Sequence, residues 1–275
     1  MRHAMPLSLL ALSLLAVPEL RAQGSQSHLI LSIFTGVRAG RKLWTLNDQP
    51  LIAYTSGLAQ NGQFDTLNLQ RHIAAGFVAG ASGTYFPNPH LGFEGELAFL
   101  GMTTESRCSI RQSAPPVTGD IDPEICSSLQ GQAVATSAVS FGIGVVGRLA
   151  PASKTYPYVR LNAGLIARTR GTIEMMGTYT ASDGTVSSST VVSDTTPRNV
   201  AVQGTVGAGL AFKLGTGYQL RLEGRDVIAL LDVVTGRADP SSGTLGPPRS
   251  ERFFHNFALT VALDVILEHS HRRRY

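Results

Sequence analysis

From Leu29 almost to the end of the chain, apolar side chains recur at every second position, and the skipped positions are small, polar or charged. After Tyr158, for example, Val159, Leu161, Ala163, Leu165 and Ala167 alternate with Arg160, Asn162, Gly164, Ile166 and Arg168, and Ile166 alone breaks the rule. Successive strand side chains point to opposite faces, so such a segment has one oily face and one wet face. Segments of roughly ten residues with this pattern, separated by turn residues, predict an all-β chain folded as an antiparallel transmembrane β-barrel, oily faces toward lipid.

Eight strands are expected. The first runs from Leu29 to Gly40, with Leu29, Leu31, Ile33 and Val37 opposite Ser32, Gly36 and Arg38. A long polar connection through Asn47, Asp48, Pro50, Asn61 and Gly62 leads to the second, Arg71 to Tyr85, with Ile73, Ala75, Phe77, Ala79 and Ala81 outward. Pro87, Asn88 and Pro89 make a short turn into the third, Leu91 to Thr103. The fourth, Gln132 to Leu149, and the fifth, Tyr158 to Ile173, are joined by a short turn through Pro151 and Lys154. A Ser/Thr-rich stretch from Thr178 to Pro197, almost without bulky apolar residues, reads as an exposed, mobile loop. The sixth strand, Val200 to Leu214, turns at Gly215, Thr216 and Gly217 into the seventh, which starts at Tyr218. A Pro- and Gly-rich loop from Arg237 to Arg249 precedes the last strand, where Phe257, Leu259, Val261, Leu263 and Val265 alternate with Ala258, Thr260, Ala262 and Asp264. The connections thus alternate long and short, which puts the long loops outside the cell and the short turns in the periplasm.

The first residues change the picture by setting the compartment. Arg2 and His3 precede an apolar run from Leu7 to Val17, then Pro18 and a small residue, Ala22. This is the pattern of a secretory signal peptide over residues 1–22, too short to span a bilayer as a helix, which leaves residues 23–275 as one barrel domain. No length is expected to remain after the last strand for a peptidoglycan-binding domain. Only helices and closed barrels satisfy their backbone polar groups in lipid, and no later segment offers an apolar helix. The 29 glycines among 275 residues suit the curvature and crowding of a narrow barrel.

Cys108 and Cys126 are the only cysteines, and in an exported chain their spacing predicts a disulfide closing an external loop. No histidine lies between them, so neither a metal site nor a redox site is expected there. The net charge of +4 comes partly from Arg272, Arg273 and Arg274. That tail reads as solvated, with lipid phosphate as its alternative partner, and nothing points to nucleic acid.

With this order of strands the chain resembles the small outer-membrane β-barrel family, the architecture of OmpA's membrane domain, OmpX and OmpW. The resemblance covers the mature chain and rests on pattern, including a closing hairpin of Leu220-Arg-Leu-Glu-Gly-Arg-Asp226 and His255-Asn-Phe-Ala-Leu-Thr-Val261. It implies outer-membrane localisation in a Gram-negative-type bacterium, outer-membrane lipids and the barrel assembly machinery as partners, and no cofactor. Such barrels end on an aromatic residue that the machinery reads, whereas here the strand runs into Glu268, His269 and the basic tail before Tyr275.

Chemistry concentrates on the wet face. Glu94, Glu96, Arg160, Arg168, Arg221, Glu223 and Arg225 all fall opposite the lipid-facing residues of the third, fifth and seventh strands. An eight-stranded barrel has an interior that side chains fill, so these charges are expected to pair across the lumen as a polar plug. A narrow gated pore lined by the same residues is the alternative. Glu94 and Glu96 with His72 or His255 are acid/base candidates, but no nucleophile or metal-ligand spacing accompanies them, and His269 and His271 read as exposed. A soluble lipocalin-like barrel stays open as well, since it needs the opposite polarity, apolar inside and charged outside. The primary expectation is a non-enzymatic membrane barrel acting through its loops, whose partner the sequence does not name, or through envelope support.

Overall fold

The computed structural model describes residues 28–51, 65–113, 120–169, 173–194, 198–215, 217–239 and 246–268. The expected leader, residues 1–22, and the tail with His269, His271 and Arg272 to Arg274 lie outside them. The elements are β1 (His28–Arg38), β2 (Arg41–Pro50), β3 (Thr66–Ile73), β4 (Gly76–Phe86), β5 (Leu91–Arg111), α1 (Asp122–Leu129), β6 (Ala133–Arg148), β7 (Thr155–Arg168), β8 (Met175–Thr180), β9 (Val186–Val192), β10 (Val200–Lys213), β11 (Tyr218–Val234) and β12 (Arg249–Glu268).

Eight of these strands close a ring. β1, β4, β5, β6, β7, β10, β11 and β12 pair antiparallel in that order, and β12 returns to β1 through Ser32 opposite Asp264. Residues 87–90 and 149–154 make short turns at one end, where β10 also leads into β11, and β1 leads to β4, β5 to β6, β7 to β10 and β11 to β12 at the other.

The outward face is mostly apolar. Phe93, Phe141, Leu161 and Leu259 are each more than half exposed, while Glu94, Arg160, Arg221 and Glu223 are buried inside. This polarity excludes the lipocalin arrangement, whose exposed face is polar. Phe257 and Leu267 bound the outward face of β12 ten residues apart; at ~3.3 Å per residue and a tilt of ~40° they span about 25 Å, the height of a lipid-facing band. No helix among the described residues is long and apolar enough to cross a membrane. The fold is therefore an eight-stranded transmembrane-type barrel.

Beyond this belt the structure departs from the expected strands. Ile73 does not face lipid: it is buried inside. Ile73 pairs with Thr104 and Phe77 with Gly101, so four steps on one strand match three on the other. The extra residue, at Ala74 and Ala75, is a β-bulge, and it flips every side chain before it to the opposite face.

The expected polar connection after the first strand is instead the β2–β3 hairpin, whose Trp44, Leu46, Leu67 and Leu69 are buried. The Ser/Thr-rich stretch is the β8–β9 hairpin, with Val191 and Val192 fully buried. The third strand runs on to Arg111 and the last begins at Arg249, whereas the fifth stops at Arg168 and leaves Ile173 to the region above. These extensions, α1, and the ends of β5 and β11 pack around Trp44, Leu69, Ile125, Leu129, Met175 and Val233 as an apolar core of their own. The barrel thus carries a folded cap on its long-loop end.

Candidate functional site

Within the belt, the ring brings carboxylates of β5, β11 and β12 against arginines of β7 and β11. Arg160, its side chain fully buried, holds Nη2 3.0 Å from Glu94 Oε1, donates from it to Glu96, and holds Nη1 3.6 Å from Glu223 Oε2. Arg225 reaches Glu96 Oε1 at 3.1 Å and Glu223 Oε1 at 2.8 Å, with its guanidinium 4.6 Å above the Phe34 ring. Arg221 pairs with Asp264 at 2.8 Å and donates to Ser32 Oγ at 3.0 Å.

Neutral groups complete the layer. Tyr158 donates its hydroxyl to Glu223 at 2.7 Å, Asn162 donates to Glu94 at 3.0 Å, and Thr84 donates to Glu94 at 3.1 Å. Gly207, opposite Arg160 across β7 and β10, makes the room: a Cβ there would lie 2.8 Å from both Arg160 Cγ and Glu223 Oε1. At the turn end, Arg148 stacks 3.4 Å over the Phe86 ring, and the void among Tyr156, Gln219 and Asp264 measures about 10 Å³. That is no larger than the space one water needs.

Six of the seven charged residues read from the sequence are in this layer, and Asp264, read as inward but not counted with them, is its fourth carboxylate. Arg168 stands apart. It lies at the far end of β7, where Nη2 donates to the Arg198 carbonyl at 2.7 Å.

Between plug and cap is a cavity of about 490 Å³. Its walls include Ile73, Leu100, Ile166, Leu231 and Phe254, and three arginines, Arg38, Arg71 and Arg168, reach into it. Arg38 donates from Nε to Asn256 at 2.7 Å, and Arg71 donates to Ser106 at 2.6 Å and Thr104 at 3.1 Å. Arg38 Nη1 and the Nε and Nη1 of Arg168 are buried with no hydrogen-bond acceptor among the described residues. Thr169, Glu174 and Met176, all exposed, mark the mouth. No single sequence pattern announces this cavity, because its arginines come from β1, β3 and β7.

The acid/base candidates do not assemble. Glu94 and Glu96 are held by arginines, and His72 pairs with Glu105, eleven residues along β5 from Glu94 or about 35 Å. His255 Nδ1 lies 2.7 Å from Asp226 Oδ2, a pair on the outward side of β11 and β12.

The disulfide Cys108–Cys126 joins β5 to α1, with an S–S length of 2.03 Å. It therefore pins a helix to a strand inside the cap, where the sequence suggested a loop closed on itself.

No protein-family model matches the chain, and no curated protein matches it in sequence. Among solved structures it is similar to Neisserial surface protein A, at 12% identity over 86% of this chain and 96% of that one, with a TM-score of 0.40. It is also similar to the outer membrane protein OprG of Pseudomonas aeruginosa, at 10% identity over 89% and 97%, with a TM-score of 0.43. The outer membrane protease OmpT of Escherichia coli is 9% identical over 88% and 97%, with a TM-score of 0.35.

Proposed function

We propose that this protein is a non-enzymatic outer-membrane barrel, sealed by its charge layer, that binds a small amphipathic molecule in the cavity beneath its cap. The cavity carries the reading. Its volume is in the range of small-molecule sites, its walls are mostly apolar, and it offers guanidinium N–H groups that no atom of the described residues accepts. Buried donors without acceptors are costly, and a ligand with a carboxylate or similar head supplies what they lack. Among the described lining residues three arginines face one carboxylate, Glu174 at the mouth, so the interior favours an anionic head over a cationic one.

The plug argues against the gated pore. Its arginines and carboxylates are engaged with one another, and opening a path means separating buried charges. The separation of Glu94 and Glu96 from His72 and His255 argues against hydrolysis.

The test is titration of carboxyl-labelled decanoate into the full protein in lipid nanodiscs, followed by carbon NMR. A protein-dependent carboxyl resonance, absent from empty nanodiscs and lost in Arg168→Met, is the expected result. Decanol, with the same tail and no charge, is expected to compete at least tenfold more weakly, since a charge-assisted hydrogen bond is worth about that much. Equal competition by decanol, or no protein-dependent resonance, overturns the reading. Planar-bilayer recordings are expected to show no large steady conductance; finding one would replace the sealed barrel with a pore.

A further inference from the structure

A second cluster lies in the cap, outside both plug and cavity. Asp65, just before β3, Asp120, and Asp122, the first residue of α1, place one carboxylate oxygen each within 4.8 Å of one another. Asp65 and Asp122 are buried and Asp120 is partly so. Asp65 Oδ1 accepts from the Ser113 backbone N–H at 2.8 Å and its hydroxyl at 3.0 Å. Asp120 Oδ1 accepts from the Asp122 backbone N–H at 3.1 Å, and Oδ2 from Gln112 Nε2 at 3.3 Å.

Asp122 is different. It is 1% exposed, and neither carboxylate oxygen has a hydrogen-bond partner among the described residues. Native proteins seldom leave a buried carboxylate bare, because its desolvation is not repaid. The start of a helix favours a negative charge, but only one, and weakly. Three converging carboxylates with a bare buried pair of oxygens are a donor set for a cation.

We infer that Asp65, Asp120 and Asp122 bind one calcium ion, which ties the entry of β3, the exit of β5 through Ser113, and the start of α1 together. Hard oxygen donors without nitrogen or sulfur exclude zinc or copper as the natural occupant. Calcium accepts irregular sets of six to eight oxygens, whereas magnesium keeps most of its water and uses one or two carboxylates, which a site shielded around Asp122 does not suit. The ion offsets two of the cluster's three negative charges and adds a cross-link beside the Cys108–Cys126 bond. This inference does not depend on the cavity's ligand.

Calorimetric titration of calcium chloride into the EDTA-treated, full-length protein in nanodiscs tests it. One saturable site is expected, with a dissociation constant of about 0.1 to 1 mM, the regime of extracellular calcium modules. Asp122→Asn is expected to weaken it at least tenfold, while Asp48→Asn, an exposed carboxylate paired with Arg111, leaves it unchanged. Hydrogen exchange separates a metal ligand from a helix-start residue. In EDTA, Asp122→Asn is expected to slow exchange in α1, because it removes the bare charge; in calcium the wild-type protein is slower. Should Asp122→Asn not fold, Asp120→Asn, which sits nearer the surface, replaces it with the same expected loss of affinity. The proposal falls if no saturable heat is seen, if magnesium binds as tightly as calcium, or if Asp122→Asn loosens α1 in EDTA and keeps the wild-type calcium affinity.

Discussion

The plug and the cap solve the same problem with opposite chemistry. In the belt, the outer face of each strand meets lipid, so the interior is left to the polar residues and is filled by Arg160, Glu94, Glu96, Glu223, Arg225, Arg221 and Asp264. In the cap the surroundings are aqueous, and the interior is Trp44, Leu69, Ile125, Val191 and Val233. β11 passes through both: Arg221, Glu223 and Arg225 point inward, and farther along the same face come Ala229, Leu231 and Val233. The period of two runs as far as Leu231 while the inward residues change from charged to apolar, and inside the cap Asp232 and Val234 on the other face are buried as well. What decides the interior of a β-protein is thus the solvent outside it. The cavity sits at the changeover and inherits from both sides: on β7 the aliphatic Ile166 follows the plug residue Arg160, and Arg168 comes next toward the cap.

Breaking the plug is expected to have the largest effect. Arg160→Ala leaves Glu94, Glu96 and Glu223 with one arginine, Arg225, among them. Removing one partner of a buried charge network costs about 3 to 5 kcal/mol. Urea unfolding of the refolded protein, read by heat-modifiable gel mobility, measures it. A loss under about 1 kcal/mol would mean the charges are solvated, and the lumen wet.

The neighbouring residue tests the other face. Leu161→Arg places a cation where Leu161 is 58% exposed on the belt. Near the bilayer midplane this is expected to cost about 2 to 4 kcal/mol in lipid, and much less in a thin detergent shell. Equal stability in lipid would show that the belt does not contact hydrocarbon at this height.

Loss of the disulfide is expected to act on the cap alone. Cys108→Ser with Cys126→Ser opens a loop of 18 residues, worth up to about 3 kcal/mol if unfolded-chain entropy governs. Hydrogen exchange is expected to speed up in α1 and the end of β5 while the belt amides stay protected. Free-thiol labelling of the unreduced, denatured wild-type protein is expected to find no thiol.

How far the sequence revealed these regions follows from the same contrast. In the belt, each residue's surroundings are set by strand parity, so the outward position of Phe141 and the inward positions of Arg160 and Glu223 were readable from alternation. In the cap, burial is set by neighbours distant in the chain. Val191 and Val192 are two apolar residues beside serines and threonines, and they are buried because β8, β9 and α1 fold over them. Trp44 and Leu46 likewise lay within what read as a polar connection. Ile73 was misjudged through one extra residue at Ala74 and Ala75, which no propensity signals. Asp264 was visible on the inward face, but its pairing with Arg221 depends on the register of β11 against β12. The carboxylates Asp65, Asp120 and Asp122 converge only after the cap folds.

The smallest effect separates the regions most sharply. Arg249 pairs with Asp194 at 2.8 Å, a contact as short as those of the plug, but the arginine side chain is 28% exposed where Arg160 is fully buried. Water already solvates part of the guanidinium, and Asp194, though its side chain is buried, has other partners. Arg249→Ala is therefore expected to cost about 1 kcal/mol or less, against several for Arg160→Ala. Its influence is expected to appear as faster exchange in β9 and the start of β12, with the urea midpoint of the barrel unchanged. If Arg249→Ala instead lowered that midpoint as far as Arg160→Ala does, cap and barrel would unfold as one cooperative unit, and the two regions would differ in chemistry but not in stability.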